Sequence, residues 1–207
     1  MGGAYPLRQC AVMDKEEQKH MDRVEEARRT LLALYGGSHS PLEESDPDFA
    51  AIKQRLVYGE LYAQEALDPV MRELILLAVA TTNQTMSEVK LHTCAALRSG
   101  ASPEAVKEAV YHCAPYIGLG KAEAAAAAVN EVLRTQGISL PLASQRTVSE
   151  EDRLTAGIAA QKSIFGPHID EMRAAAPNDK KPLQDYLSAY CFGDFYTRSG
   201  LDIRQRE

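Results

Sequence analysis

One segment places a carboxylate and an imidazole four residues apart, at Glu88 and His92. Residues four apart lie on the same face of a helix, so these two side chains could exchange a proton or orient one another. Histidine and glutamate are among the groups that general acid and base catalysis uses most. Two structural explanations stay open: Glu88 is three residues after Thr85, where a capping box places a glutamate, and His92 could be an ordinary helix residue.

A second carboxylate, Glu73, falls in the first turn of the preceding predicted helix. The helix dipole favours an acid at such a position whatever its function. The dipeptide Arg72-Glu73 recurs at 206–207, which weakens that explanation but fits a repeated structural ion pair equally well. We expect Glu73 to form the reactive cluster together with Glu88 and His92.

Cysteines offer a competing chemistry. Cys94 lies two residues after His92 and Cys113 lies beside His112, so a cysteine–histidine dyad is conceivable, although small buried cysteines are commoner. None of the four cysteines forms a C-x-x-C pair, and a reduced cytoplasmic protein is the expectation. Only Glu88 and His92 present convergent metal ligands, so we predict no metal site.

The composition predicts an all-α protein that binds neither nucleic acid nor membranes. Aromatic residues make up only 6% of the 207 residues and tryptophan is absent, whereas alanine and leucine are abundant. The net charge of -6 would repel phosphate backbones. No apolar run approaches the roughly 18 residues that a transmembrane helix needs.

Apolar spacing and capping signals predict a series of helices. They span residues 15–34, 47–62, 70–80, 85–98, 103–114 and 121–135. The first should end at Gly36-Gly37, and the segment 115–120 should break the fifth. Residues 138–148 read as a linker, after which Ser149 should cap a further helix.

The chain also resembles itself. Read 134 residues ahead, six of the sixteen residues from Tyr58 to Glu73 recur identically between Phe192 and Glu207. We therefore predict an N-terminal extension at 1–14, a first repeat at 15–137, a linker at 138–148 and a partial second repeat at 149–207. The second copy has no counterpart of residues 74–137, so its apolar face must find cover elsewhere.

The order of several motifs resembles the carboxymuconolactone decarboxylase family. They are Arg72-Glu-Leu-Ile-Leu-Leu-Ala-Val79, Glu88-x-x-x-His92, Ala95-Ala-x-x-Ser-Gly-Ala-Ser-x-Glu104, Val106-Lys-Glu-Ala-Val110 and Tyr116-Ile-Gly-Leu-Gly-Lys-Ala122. The match covers about residues 20–137 and recurs at half length in 153–207. Gly120 stands where the family usually has proline.

This resemblance implies an all-α fold that assembles into trimers or hexamers, with sites near subunit contacts. Alkylhydroperoxidase-like relatives carry the motif C-x-x-C-x-x-x-H. Here Thr85 and Glu88 occupy the two cysteine positions. A disulfide-exchange peroxidase would therefore lack its nucleophile.

The resemblance further implies a lyase without a cofactor, of the kind used in aromatic compound catabolism. His92 would act as acid or electrostatic stabiliser, Glu88 as its orienting partner or proton carrier, and Glu73 as a second carboxylate across the pocket. The expected substrate is a small acid or lactone.

We expect three further residues, Tyr116, Arg72 and His112, to bind the substrate, with Tyr116 donating a hydrogen bond to the lactone. Two alternatives stay open. One is a cysteine-dependent redox protein that uses Cys94 or Cys113. The other is a non-catalytic or fragmentary member that only oligomerises or binds a small acid.

Overall fold

The computed structural model describes residues 23–37, 40–64 and 66–207. These ranges contain helices and no β-strand, which confirms the predicted all-α class. The predicted extension at 1–14 and the first part of the predicted helix 15–34, through residue 22, lie outside the described residues. Contacts divide the chain into two compact units, residues 1–68 and 69–207. None of the described helices is both long and apolar enough to cross a bilayer.

The first unit contains α1 (Arg23–Tyr35), α2 (Pro47–Gln54) and a π-helical turn, π1 (Arg55–Leu61). A close backbone approach joins α1 to π1, since a Cβ on Gly59 would lie 2.1 Å from the carbonyl oxygen of Arg23. Only glycine allows that distance. Beside it, Arg23 Nη1 donates to Glu60 Oε1 at 2.5 Å.

The second unit contains the remaining elements. They are α3 (Pro69–Asn83), α4 (Met86–Arg98), α5 (Pro103–Ile117), α6 (Leu119–Thr135), α7 (Arg153–Phe165), α8 (His168–Ala175), α9 (Lys181–Tyr186), π2 (Leu187–Tyr196) and α10 (Ile203–Arg206). Helices α3 to α6 pack around an aliphatic core that includes Leu77, Val89, Val110 and Leu133. The alanine-rich face of α6, with Ala125 and Ala128, allows close helix approach.

Three predicted helix boundaries are wrong, and the first is the end of α3, which continues past residue 80 to Asn83. Helix α5 continues through Pro115 to Ile117 and ends at Gly118, which has φ 94°. Because Pro115 lies in the last turn, its missing N–H removes a single hydrogen bond from the helix. Ser149 does not cap a helix, since α7 begins only at Arg153. The Ser149 N–H instead donates to Asp152 Oδ1 at 2.6 Å, closing a turn before the helix.

Residues 138–148, the predicted linker, run along the core of the second unit. Ile138, Leu140 and Leu142 pack against that core. The carbonyl oxygen of Gln145 accepts a hydrogen bond from the Ser199 N–H at 2.9 Å. The connection is therefore held at both ends by packing and hydrogen bonds, and the division into units does not fall within it.

The C-terminal segment repeats the contacts seen in the first unit. A Cβ on Gly193 would lie 2.3 Å from the carbonyl oxygen of Arg153, and Arg153 Nη1 donates to Asp194 Oδ2 at 2.8 Å. These residues follow Gly59, Arg23 and Glu60 by 134, 130 and 134 positions. The repeat, with boundaries at 15–137 and 149–207, stays a prediction that these matching contacts favour.

Cover for the C-terminal segment comes from within the second unit. Leu201 joins the hydrophobic core cluster, and it is 8% exposed. Nearby, Arg198 Nε and Nη2 donate to the buried carboxylate of Glu108 on α5 through three contacts. The segment therefore closes one side of the helical core, which matters for the cavity described below.

Candidate functional site

Two of the predicted reactive residues are in direct contact. His92 Nδ1 lies 2.9 Å from Glu73 Oε2, and the two residues are 7% and 1% exposed. A buried carboxylate is costly unless a donor satisfies it. With Nδ1–H donated to Glu73, the ring orientation is fixed, and Nε2 is the atom that can exchange a proton.

The third predicted residue, Glu88, lies on the other side of the imidazole. Its Oε2 is 3.6 Å from His92 Nε2, which is beyond hydrogen bond length but within the range of an ion pair. The Glu88 side chain is 34% exposed, whereas that of Glu73 is 1% exposed. The imidazole is therefore held between a buried carboxylate and one that reaches the surface.

A short turn between α3 and α4 brings these side chains together. Gln84 has φ 59°, a left-handed conformation that ends α3, and its side-chain amide donates to the carbonyl oxygens of Thr81 and Lys121. The Thr85 N–H returns to the carbonyl oxygen of Ala80 at 3.0 Å. Because α4 begins at Met86, the two helices pack as antiparallel neighbours, and Glu73 meets His92 across their contact.

The predicted capping box at Thr85 and Glu88 does not form. The Thr85 side chain makes no cap hydrogen bond, and its hydroxyl donates to the carbonyl oxygen of Ala80 at 3.3 Å. The alternative structural explanation for Glu88 therefore lacks its central contact. The position of Glu73 also differs from the expectation, since it bonds His92 directly instead of lying across a pocket.

Two of the predicted substrate-binding residues lie elsewhere in the second unit. His112 and Tyr116, both on α5, line a cavity of about 430 Å³ together with residues of α3 and of the C-terminal segment. Glu73, Glu88 and His92 do not line this cavity, and neither does Arg72, which is half-buried. Five of the six predicted residues therefore fall into two groups. Glu73, Glu88 and His92 form the first, and His112 and Tyr116 form the second. The sixth residue, Arg72, is next to Glu73 in the sequence.

His112 is held by a guanidinium. Arg206 Nη1 lies 3.4 Å from His112 Nδ1, and a guanidinium can only donate. Burial, and secondly the positive charge of Arg206, lower the pKa of His112 to about 4. The imidazole is therefore neutral at neutral pH, with its proton on Nε2. That atom is buried and has no hydrogen bond partner among the described residues.

The charges behind His112 belong to a buried ion network that sequence reasoning missed. Glu108, 1% exposed, accepts from Arg198 Nε and Nη2 at 2.8 to 3.0 Å, and Arg206 Nη2 lies 3.7 Å away. Arg206 Nη2 also donates to the carbonyl oxygen of Arg198 at 2.7 Å. The sequence contains one indication of this network. Glu108 is an acidic residue among the apolar residues of a predicted helix, between Val106 and Val110.

The cysteines beside the two histidines are poor nucleophiles in this fold. Burial raises the pKa of Cys113 to about 11, and it also raises the pKa of Cys94. The Cys113 thiol donates to the carbonyl oxygen of Ala109. Because the thiolate is the reactive form, these environments disfavour the cysteine-dependent redox alternative.

Part of the chain matches known proteins in sequence. Residues 47–131 match the model of the carboxymuconolactone decarboxylase family. The chain is also similar to a 4-carboxymuconolactone decarboxylase from Acinetobacter baylyi. The two are 29% identical over 98 residues, which cover 47% of this chain and 73% of that protein. Residues 47–131 therefore resemble a domain of the carboxymuconolactone decarboxylase family, and Glu73, Glu88 and His92 all lie within the matched range.

Proposed function

We propose that this protein is a carboxy-lyase that needs no cofactor and acts on a small carboxylated lactone or a related acid. The observation that carries the proposal is the buried 2.9 Å contact between Glu73 and His92, with Glu88 at the second ring nitrogen. The matched relative supplies the reaction class, because its name states decarboxylation of a carboxylated lactone.

The reaction requires one proton donor and one group that accepts an electron pair. The bond between the departing carboxylate carbon and the adjacent carbon breaks, and carbon dioxide leaves. The electron pair left behind delocalises towards the lactone carbonyl as an enolate. Protonation at carbon then gives the product, so the protein must orient the substrate, stabilise the enolate oxygen and deliver a proton.

The geometry supports a division of roles within the cluster. Glu73 accepts the Nδ1–H of His92 and so fixes the ring, which makes Glu73 a positioning residue. His92 Nε2 is then the atom that protonates the substrate or stabilises its enolate. Glu88, the most exposed of the three, carries the replacement proton between solvent and the ring.

Substrate binding by Arg72 stays part of the proposal. Its guanidinium belongs to the residue next to Glu73, and a cation there would attract the substrate carboxylate. Tyr116 and His112, both on α5, line the separate cavity. We also propose that the protein is a homo-oligomer, a trimer or hexamer, since Ile75 and Val79 of α3 are 43% and 50% exposed.

The proposal is tested by measuring turnover of 4-carboxymuconolactone, through the release of carbon dioxide and the change in absorbance as the substrate is converted. His92→Ala and Glu88→Gln should each lower kcat/KM by about 10²-fold to 10⁴-fold. The exposed histidine His168 offers a matched control, since His168→Ala should leave turnover unchanged. Near-full turnover in both cluster variants would exclude these roles, and activity lost only on removal of cysteines would favour the redox alternative.

The oligomer has its own test. Light scattering coupled to size-exclusion chromatography gives the mass of the particle, and three or six copies of the 22.7 kDa chain are expected. Introducing a charge at Val79 on the exposed face of α3 should lower that mass if this face joins subunits. A monomer in the unmodified protein would contradict the oligomer.

A further inference from the structure

We infer that the cavity at His112 is a second binding site, separate from the Glu73–His92 cluster, and that it takes a small, mainly apolar carboxylic acid. The site is formed by helices α3 and α5 together with the C-terminal segment that ends in α10. Its volume of about 430 Å³ is within the range of pockets that hold small organic ligands.

The first argument is an unsatisfied buried donor. His112 is 8% exposed, and its Nε2 lacks a partner among the residues that the structure describes. Because Nδ1 accepts from Arg206, Nε2 carries the proton and can only donate. A buried donor left unpaired costs free energy, which a ligand oxygen could recover.

The second argument is the sign of the surrounding charge. Glu108 is the single acid in the buried ion network, whereas Arg198 and Arg206 are both cationic, so the described network keeps one net positive charge. Arg206 lines the cavity, and its side chain is 1% exposed. Among the described residues that line the cavity, Glu207 is the one acidic residue, and its side chain is exposed to solvent. An anionic group is therefore favoured in the interior, close to Arg206.

A further donor lies at the edge of the cavity. The Tyr116 hydroxyl lies 2.8 Å from that of Tyr196, and partial desolvation followed by this hydrogen bond raises the pKa of Tyr116. The phenol therefore stays protonated at neutral pH and can donate. The opposite wall is aliphatic, with Leu74, Ile75 and Leu201. A carboxylate joined to a compact apolar body matches both sides.

Benzoate is a suitable probe because it combines a carboxylate with a small apolar ring, and benzamide is its uncharged counterpart. Isothermal titration of the full chain should show saturable binding of benzoate below about 10 mM, with benzamide at least about tenfold weaker. Equal affinity for the two probes, or no saturable binding of benzoate, would overturn the assignment. This readout is equilibrium binding, so it does not depend on the proposed lyase activity.

Two substitutions locate the bound probe. His112→Phe keeps an aromatic side chain but removes both ring nitrogens, including the Nε2 donor, and it should weaken benzoate binding by about tenfold or more. Tyr116→Phe removes a hydroxyl from a residue that is 64% exposed, so the fold is retained, and it should weaken binding by about threefold. The exposed His168→Ala serves as the control. Unchanged affinity in a folded His112→Phe protein would overturn the proposal.

Protection of a cysteine in the unmodified protein tests the same site without relying on whether the variants fold. Cys113 lines the cavity, whereas Cys94 does not. Saturating benzoate at pH 9 should slow alkylation of Cys113 by iodoacetamide and leave Cys94 unaffected, as followed by mass spectrometry. Equal protection of both cysteines, or of neither, would contradict a site at His112.

Discussion

His92 and His112 are buried to almost the same extent in the same unit, yet residues of opposite charge hold them. His92 contacts two carboxylates, at 2.9 and 3.6 Å, whereas His112 contacts the guanidinium of Arg206. The Glu73 carboxylate fixes which nitrogen of His92 donates, whereas burial and the nearby guanidinium lower the pKa of His112 and keep its ring neutral. In our proposals the same type of side chain therefore transfers a proton on α4 and donates a hydrogen bond to a ligand on α5.

The comparison also shows that burial alone does not identify a reactive histidine. Both rings lie on helices that pack into one core, and both have a cysteine within two residues. The hydrogen-bonding partner differs, and it comes from another element in each case: Glu73 on α3 for His92, and Arg206 on α10 for His112. Tests of the comparison should therefore change the partners.

The largest effect is expected at the acid that positions His92. Glu73→Gln preserves the shape of the side chain but replaces the charged acceptor of the Nδ1–H by an amide that can also donate. The wrong ring tautomer then becomes accessible, and turnover should fall by about 10²-fold to 10⁴-fold. Steady-state kinetics of 4-carboxymuconolactone turnover measures this. Retained kcat would mean that Glu73 is only a structural partner of His92.

The charge network behind His112 should control stability. Arg198→Ala leaves Glu108 buried with Arg206 3.7 Å away, so the free energy of unfolding should fall by about 3–5 kcal/mol. Arg153→Ala is the matched control, because both side chains of its pair with Asp194 are 31% exposed and should contribute less than about 1 kcal/mol. Urea titration compares the two. Similar losses would show that burial does not distinguish these ion pairs.

The next effect concerns pH. The pKa of His112 is lowered to about 4 in the folded state, from an ordinary value of 6.5. Between these values the unfolded chain binds a proton that the folded protein does not, so stability falls as the pH is lowered from 6.5 towards 4. The loss is at most about 3 kcal/mol.

Titratable carboxylates also change the stability between pH 7 and pH 4. The contribution of His112 is therefore obtained by comparing the unmodified protein with a variant that lacks this imidazole. Urea titrations at pH 7 and pH 4 should show a larger loss in the unmodified protein than in His112→Asn, which cannot titrate. Equal losses would place His112 in a more solvated environment than the structure gives it.

The smallest effect concerns the cysteines next to the two histidines. Burial raises the pKa of Cys113 to about 11, so little thiolate exists at pH 7. Its alkylation by iodoacetamide should be about tenfold to a hundredfold slower than that of a free cysteine, since greater intrinsic nucleophilicity offsets part of the lower thiolate fraction. The rate should keep rising up to about pH 11. A rate that levels off near neutral pH would revive the redox alternative.

Helix positions were largely predictable because their signals are local. The predicted starts at Pro47 and near Pro69 and the ends near Arg98 and Thr135 lie within a residue or two of the observed ones. The errors at Pro115 and Ser149 have a common reason. A single proline or serine permits several local conformations, and packing of the flanking residues selects one.

Local spacing also brought Glu88 and His92 to one helix face, and the order of the motifs along the chain was enough to indicate the family. These properties follow from the chain itself, since helix periodicity and residue identity determine them. Tertiary packing decided the rest: it joined Glu73 to His92, separated Tyr116 and His112 from that pair, and placed Arg206 beside His112. Contacts between residues 19 and 94 positions apart depend on how helices pack, and no spacing along the sequence encodes that.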